Sequence, residues 1–523
     1  MTKNGHRWGR EIRMPSFPAA LLSTRQLGAG VPWLAGVATF AAMLFSPAVL
    51  SDGDTFSHVA AGSLMIAQRA VLYADPFSYP FAGAAWTTHE WLAEAVMAFA
   101  LQAAGWGGLV LLAAAAAAAS VFGLAAHLGR WLAPGGVLLL VVLSFGCMAP
   151  GLLVRPHVLA LPVLEVWVAG LVIARSQGRA PSWRLLPLMT LWANLHGGFI
   201  IGLAMVAPLG VEAAIAAAAA WRGAAMRWAL FLLAAVAAAF LTPHGATGLL
   251  FPFHLVGLRD LASINEWRAT DFSTLQPLEL ALLAGLYVSL SRGAHLPTVR
   301  LLLLLALLHM ALGHTRHQML AGFIAPLLIA ESLGRSLPPG AQAGAVARRG
   351  WVAAGLSLAV CLAALRLTLP VVRTDGPAAP ISALGHVPPS LTAQHVFNDY
   401  GFGGFLIFSN VRPFIDGRVD MYGDKFVSLY ASVTHPDKAA LEQTFQLYSV
   451  RWTILDPSNP AVSLLDALPE WCRLYADQFA VVHVRSSIGP CMNQESAAAG
   501  NQDEEPAAGP AGLLREGAGR DAR

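Results

Sequence analysis

The sequence predicts an α-helical polytopic membrane protein of about 11 spans followed by a small extracytoplasmic α/β domain. Three observations predict it. Apolar runs long enough to cross a bilayer, which takes about 20 residues, recur from about residue 31 to residue 370. Arginines fall on every second connection between those runs. After residue 370 the composition turns into that of an ordinary soluble domain. With 56% hydrophobic and 12% charged residues, and a mean hydropathy of +0.57, the chain is too apolar to be a soluble globule. A net charge of +3, without a basic and aromatic-interleaved patch, excludes nucleic acid as the expected partner.

Residues 1–30 form a basic segment (Arg7, Arg10, Arg13 and Arg25) that is expected in the cytoplasm. No convincing small-residue cleavage site follows, so the first apolar run reads as an uncleaved span. Spans are expected near 31–50, 106–128, 136–151, 156–174, 185–198, 199–220, 227–242, 277–291, 299–313, 318–334 and 351–370. Every second connection then carries Arg130; Arg175, Arg179 and Arg184; Arg222 and Arg227; Arg292 and Arg300; or Arg335, Arg348 and Arg349. These are the positive-inside loops. Within the outer loop 51–105, residues 54–69 place Phe56, Val59, Ala60, Leu64 and Ala67 at helical spacing. In 88–104, Glu90 and Glu94 interrupt an apolar run. Both stretches are expected to be helices at the outer interface, because a crossing by 88–104 would invert the arginine loops.

The transmembrane domain thus covers 31–370. Residues 375–490 read as the outer α/β domain, with strands near 395–398, 404–409, 413–416, 451–456, 472–475 and 480–485, and helices near 437–448 and 461–468. Residues 491–523 are Ala/Gly/Glu-rich and are expected to be disordered. The four cysteines lack metal-ligand spacing. Cys147 and Cys361 read as apolar filler, whereas Cys472 and Cys491 can pair in an oxidising compartment.

On this threading the polar clusters all fall on the outer side. Asp52 and Asp54 follow the first span at once, with His58 one helical turn after Asp54. Two carboxylates one residue apart can hold a divalent metal, or one can serve as general base; the alternative is a cap on helix 54–69. Arg155 and His157 open a span, and Arg316 and His317 fill a short turn between two apolar helices. Arginine forks bind phosphate, and both clusters lie at headgroup level. The alternative is interfacial snorkelling. Asn194 and His196 precede Gly197-Gly198, which suits a broken helix lining a cavity or a plain loop. Glu165 lies mid-span, where a carboxylate must be paired, protonated or facing a cavity, and His309 is one partner for it. His89 and Glu90 lack the second histidine of a zinc-protease motif, Asp75-Pro76 reads as a turn, and 416–420 reads as a turn laced by an Arg–Asp pair. No P-loop, dinucleotide fingerprint or Gly-x-Ser-x-Gly elbow is present.

These runs, taken together, resemble the GT-C superfamily of membrane glycosyltransferases, which includes protein O-mannosyltransferases and lipid A aminoarabinose transferases. The matching segments are Asp52–His58, Asp75–Ser78, His89–Leu92, Arg155–His157, Trp192–Gly198, Val396–Gly404 and Phe414–Arg418, spread over residues 31–485. The resemblance implies a polyprenyl-phosphate sugar donor, an extracytoplasmic glycan, lipid or protein acceptor, and inverting transfer. It implies that an acidic residue after the first span, Asp52 or Asp54, deprotonates the acceptor or binds metal. Arg155 or Arg316 would hold the donor phosphate. No later acidic motif matches clearly, Glu266 and Asp271 being the candidates, so a divalent metal is left open. A multi-pass protein of a bacterial inner membrane, with a periplasmic C-terminal domain, is the expected setting. The alternatives are a transporter or flippase of lipid-linked sugars, which should show repeat symmetry and a midplane site, and a non-catalytic membrane scaffold.

Overall fold

In the computed structural model, the described residues are 24–258, 265–293, 295–336, 345–435 and 437–487. The expectations for the basic N-terminal residues before 24, for Cys491 and for the 491–523 tail lie outside them. The bundle begins with α1 (Thr24–Phe45), α2 (Asp54–Gln68), α3 (Trp91–Leu128), α4 (Pro134–Met148) and α5 (Pro156–Ser176). It continues with α6 (Leu186–Leu195), α7 (Phe199–Ala216), α8 (Trp221–Ala239), α9 (Gly245–Val256), α10 (Pro277–Arg292), α11 (Thr298–Gly313), α12 (His317–Ser336) and α13 (Ala345–Thr368). Among the described residues, eight helical stretches are long and apolar enough to cross a membrane. Leu138, Leu233 and Val360 are more than half exposed on them, the pattern of a surface that meets lipid rather than water.

Three of the expected spans are short. The segment expected at 185–198 is the 10-residue α6, roughly 15 Å at about 1.5 Å per residue, half of a hydrocarbon core of about 30 Å. It stops where His196 turns to an extended backbone. The next helix restarts at Phe199, and Asn194 ties the break to the turn after α8 by donating to the carbonyl of Leu241 at 2.9 Å. Helices α10 and α11 have 16 residues each. The stretch 88–104 is the first part of α3, which breaks at Ala104 and at Gly105 (φ 59°) before the spanning part starts. Only glycine takes that left-handed backbone at little cost.

The bundle has a polar knot at its far end. Arg300, 1% exposed, reaches Glu212 at 3.2 Å, Glu331 at 3.0 Å and the Leu328 carbonyl at 3.1 Å. Arg175 lies 2.9 Å from the same Glu212. These pairs join α5, α7, α11 and α12 where α5 and α12 end. Glu165 does not meet His309. It lies against Gly123 of α3, while His309 is exposed on α11.

The C-terminal domain contains α14 (Ile381–Gly385), α15 (Pro389–Thr392), β1 (Val396–Asn398), α16 (Gly403–Phe408), α17 (Val419–Thr434), α18 (Lys438–Leu447), β2 (Trp452–Leu455), α19 (Pro460–Asp466), β3 (Trp471–Ala476) and β4 (Val481–Arg485). Its sheet has the order β1-β2-β4-β3, with β1 parallel to β2 and the other pairs antiparallel. Two expected strands are absent. The expected strand 404–409 is instead the helix α16 and its C-cap Ser409, because Asp399 accepts from the Gly401 amide at 3.1 Å and starts a helical turn. A short apolar run by itself does not distinguish strand from buried helix. Residues 413–416 pair with no strand. The Asn398 side chain accepts from the Phe414 amide and donates to the Ile415 carbonyl, both at 2.8 Å, in place of a ladder. The sequence reading also missed α17 entirely. Cys472 is disulfide-bonded.

Candidate active site

One cavity of about 1150 Å³ lies where the first loop, the N-terminal ends of α5 and α12, the α6–α7 break and the C-terminal domain meet. Asp52, Asp54, His58, His89, Glu90, Arg155, His157, His196, Glu266, Arg316 and His317 all line it. Glu165 is not among its lining residues.

The first-loop acids do not cap α2. Its N-cap is Gly53, and no side-chain cap hydrogen bond forms. Instead both acids face the guanidinium of Arg155, which stands in extended backbone before Pro156. Arg155 Nε lies 3.1 Å from Asp52 Oδ2, Nη2 bonds Asp54 Oδ2, and Nη1 lies 3.3 Å from Glu266 Oε1. Burial works against the Arg155 charge, but Asp52 and Glu266 outweigh it and raise its pKa. Burial likewise pushes Glu266 up, while Arg155 and Arg316 hold it below the ordinary carboxylate value. Each of the three guanidinium nitrogens of Arg155, a candidate phosphate fork, thus faces a carboxylate.

Arg316 is different. Its guanidinium sits 4.5 Å from the centre of the Trp267 ring, and among the described residues it makes no ion pair. Burial lowers its pKa, opposed by Glu266. His317 next to it has Nδ1 3.3 Å from the Met310 carbonyl.

A second cluster is centred on Glu90. Its Oε1 lies 3.5 Å from His89 Nε2 and 3.5 Å from His196 Nε2, and its Oε2 lies 3.8 Å from His58 Nε2. His58 Nδ1 lies 3.1 Å from Glu94. Burial alone would lower His58, but Glu94, Glu90 and Asp52 raise it above the ordinary histidine value. Burial also opposes charge on His89, and Glu90 outweighs it. The Gly198 amide donates to His196 Nδ1 at 2.9 Å, which leaves the ring proton on Nε2, toward Glu90. His157 donates from Nε2 to the Gly151 carbonyl at 2.7 Å, leaving Nδ1 as its lone-pair nitrogen.

The C-terminal domain forms one wall, and glycines allow the approach. A Cβ on Gly417 would stand 2.1 Å from Asp54 Oδ1, one on Gly404 2.2 Å from the Gly53 carbonyl, and one on Gly53 2.5 Å from the Gly401 carbonyl. A latch holds this seam. Arg418 bonds Asp416 and, across the seam, Asp75 of the first loop at 2.7 Å, with its guanidinium 4.7 Å from the Trp86 ring centre. The turn 416–420 is laced by its Arg–Asp pair as expected, but the same arginine also ties two parts of the chain together. Sequence reading missed the wall residues Tyr400, Gly417, Asp420 and Tyr430. The signal available was the density of glycines at 401, 403, 404 and 417, which marks close backbone approach. Asp420 makes no ion pair among the described residues, and burial raises its pKa against the pull of His89.

The donor set does not fit a divalent ion. A metal needs carboxylate oxygens turned toward one shared point, and here the guanidinium fills the space between Asp52, Asp54 and Glu266. Among the described residues no group of three or more His, Cys, Asp or Glu could hold a metal ion.

The fold and site are those of a polytopic membrane protein with a charged cavity walled by a small α/β domain. No family model matches the chain, and no curated protein matches it. Solved structures resemble it. The archaeal oligosaccharyltransferase AglB from Archaeoglobus fulgidus, in complex with an inhibitory peptide and a dolichol-phosphate, does so with a TM-score of 0.49 and 10% identity, over 81% of this chain and 69% of that chain. The A. fulgidus oligosaccharyltransferase in the apo form has a TM-score of 0.49 and 11% identity, over 84% and 70%. ArnT from Cupriavidus metallidurans bound to undecaprenyl phosphate has a TM-score of 0.47 and 13% identity, over 89% and 98%.

Proposed function

We propose that this chain is a membrane glycosyltransferase that moves a sugar from a polyprenyl-phosphate donor to an acceptor at the outer face of a bacterial inner membrane. The observation that carries the reading is convergence: acids, histidines and arginines from separate loops line one cavity at one end of the bundle. At about 1150 Å³ the cavity exceeds the usual single-ligand range of roughly 300–1,000 Å³, as a site for donor and acceptor together requires. Its lining also includes Leu161, Leu164, Met319 and Leu320, apolar neighbours suited to the first units of a lipid tail.

The acceptor hydroxyl attacks the anomeric carbon in line. The new C–O bond forms as the anomeric carbon–phosphate oxygen bond breaks, with inversion, and polyprenyl phosphate leaves. Asp54 takes the hydroxyl proton, with Asp52 and His58 beside it. Arg316 meets the charge that grows on the departing phosphate, and His157, His196 and His317 line the same cavity. A cation without a carboxylate partner needs an anion, and the substrate supplies one.

The test is transfer by the purified full chain, reconstituted in bilayers with a panel of polyprenyl-phosphate sugars, read as release of polyprenyl phosphate. Asp54→Asn should reduce release by on the order of a hundredfold, the usual contribution of a general base. Release unaffected in both Asp54→Asn and Asp52→Asn would end the mechanism. Absence of release from every donor by the wild-type chain would end the glycosyltransferase reading.

A further inference from the structure

The acids after the first span are where the superfamily resemblance allows a divalent metal, yet they meet an arginine. The three guanidinium nitrogens of Arg155 are distributed one to each carboxylate: Nε to Asp52 at 3.1 Å, Nη2 to Asp54, Nη1 to Glu266 at 3.3 Å. The arrangement joins three distant parts of the chain. Asp52 and Asp54 come from the first loop, Arg155 from the start of α5, and Glu266 from the turn Asn265–Trp267. A divalent ion would bind such acids by drawing oxygens inward to roughly 2.0–2.6 Å. The planar fork instead separates them and fixes the direction of each. Gly417 closes the other side of Asp54, since a side chain there would collide with Oδ1.

We propose that Arg155 is a positioning residue that takes the place of a divalent cation, so that Asp54 is aimed and charge-balanced without metal. For its activity arm this rests on the glycosyltransferase reading; for its binding arm it rests on geometry alone. Removing the guanidinium leaves three carboxylates around one vacated space. That space is a metal site that the wild-type chain lacks.

The experiment uses the full chain in nanodiscs and Mn²⁺ alone as probe, with bound Mn²⁺ read by electron paramagnetic resonance. Wild type should bind no Mn²⁺ at this place. Arg155→Ala should gain one site at least roughly tenfold tighter than any in wild type, and Arg155→Ala with Asp54→Asn should lose it. In transfer assays wild type should be unaffected by EDTA. Arg155→Ala should be inactive in EDTA and partly restored by Mn²⁺. Arg155→Lys should gain no Mn²⁺ and lower kcat with little change in KM for the donor, because one point charge cannot aim three carboxylates. The inference is overturned if wild type binds one Mn²⁺ that Asp54→Asn removes, if EDTA abolishes wild-type transfer and Mn²⁺ restores it, or if folded Arg155→Ala gains no site. If Arg155→Ala fails to fold, the wild-type and Arg155→Lys arms decide. If no donor supports transfer, the glycosyltransferase reading fails while Mn²⁺ binding still decides this one.

Discussion

Arg316 and Arg155 look alike in sequence, since each is a cation expected on an outer loop beside a histidine. Their surroundings separate them. Arg155 is saturated by carboxylates, whereas Arg316 rests on Trp267 with no acid in ion-pair contact among the described residues. Charge-assisted hydrogen bonds contribute about 1.5–3 kcal/mol. Arg316→Ala should therefore weaken donor binding about ten- to a hundredfold with little loss of thermal stability, and Arg316→Lys should recover part of it. Titration of a donor analogue alongside a melting curve checks this; equal donor affinity in the alanine variant would remove Arg316 from the site. His58 gives a pH prediction. Its pKa is raised above the ordinary value of about 6.5. Its contribution to stability is therefore complete below that value and is lost as pH rises through the folded value. A His58→Gln variant should flatten the dependence of the melting temperature on pH in that alkaline window and leave the acid side unchanged in slope.

At the scale of elements, the seam between the bundle and the C-terminal domain is made by backbone meeting backbone. Gly404→Val should displace α16 from the first loop, because a Cβ there already lies 2.2 Å from the Gly53 carbonyl. Arg418→Ala removes the latch and strands buried Asp416 and Asp75, a change that costs about 3–5 kcal/mol when one partner of a buried pair is lost. Limited proteolysis should then cut between α13 and β1 much faster than in wild type, and an unaltered cutting rate would contradict the latch. The elements also show why some of the sequence reading went astray. Phe405-Leu-Ile-Phe408 is too short for periodicity to distinguish helix from strand. The deciding facts are the Asp399 turn before it and the contact of Gly404 with Gly53, which no local pattern contains.

At the scale of the molecule, the basic connections and the cavity should lie on opposite faces of the membrane. Reporter fusions after residues 180 and 380 should read cytoplasmic and external respectively; two cytoplasmic readings would dismantle the topology and the site with it. Deleting 375–523 should leave donor binding measurable, because Arg316 and Trp267 lie in the preceding part of the chain. Transfer should fall sharply, because the wall over Asp54 is gone.

The sequence by itself determined the helical membrane architecture, the helix α2, the boundary near residue 105 in α3, the four strands of the C-terminal sheet and many of the charged residues that line the cavity. Those follow from local rules: apolar length, helical spacing, β-branched runs, and the cost of placing arginine on the wrong side of a bilayer. Only the tertiary structure decided how the charges are spent. It assigned Arg155 to three carboxylates, left Arg316 to an aromatic ring, set Glu165 against Gly123 away from the cavity, and brought Tyr400, Gly417 and Asp420 to the wall. The physical reason is range. Hydropathy and periodicity act within a segment, whereas an ion pair such as Arg155 with Glu266, 111 positions apart in the chain, exists only after the loops have been folded onto one another.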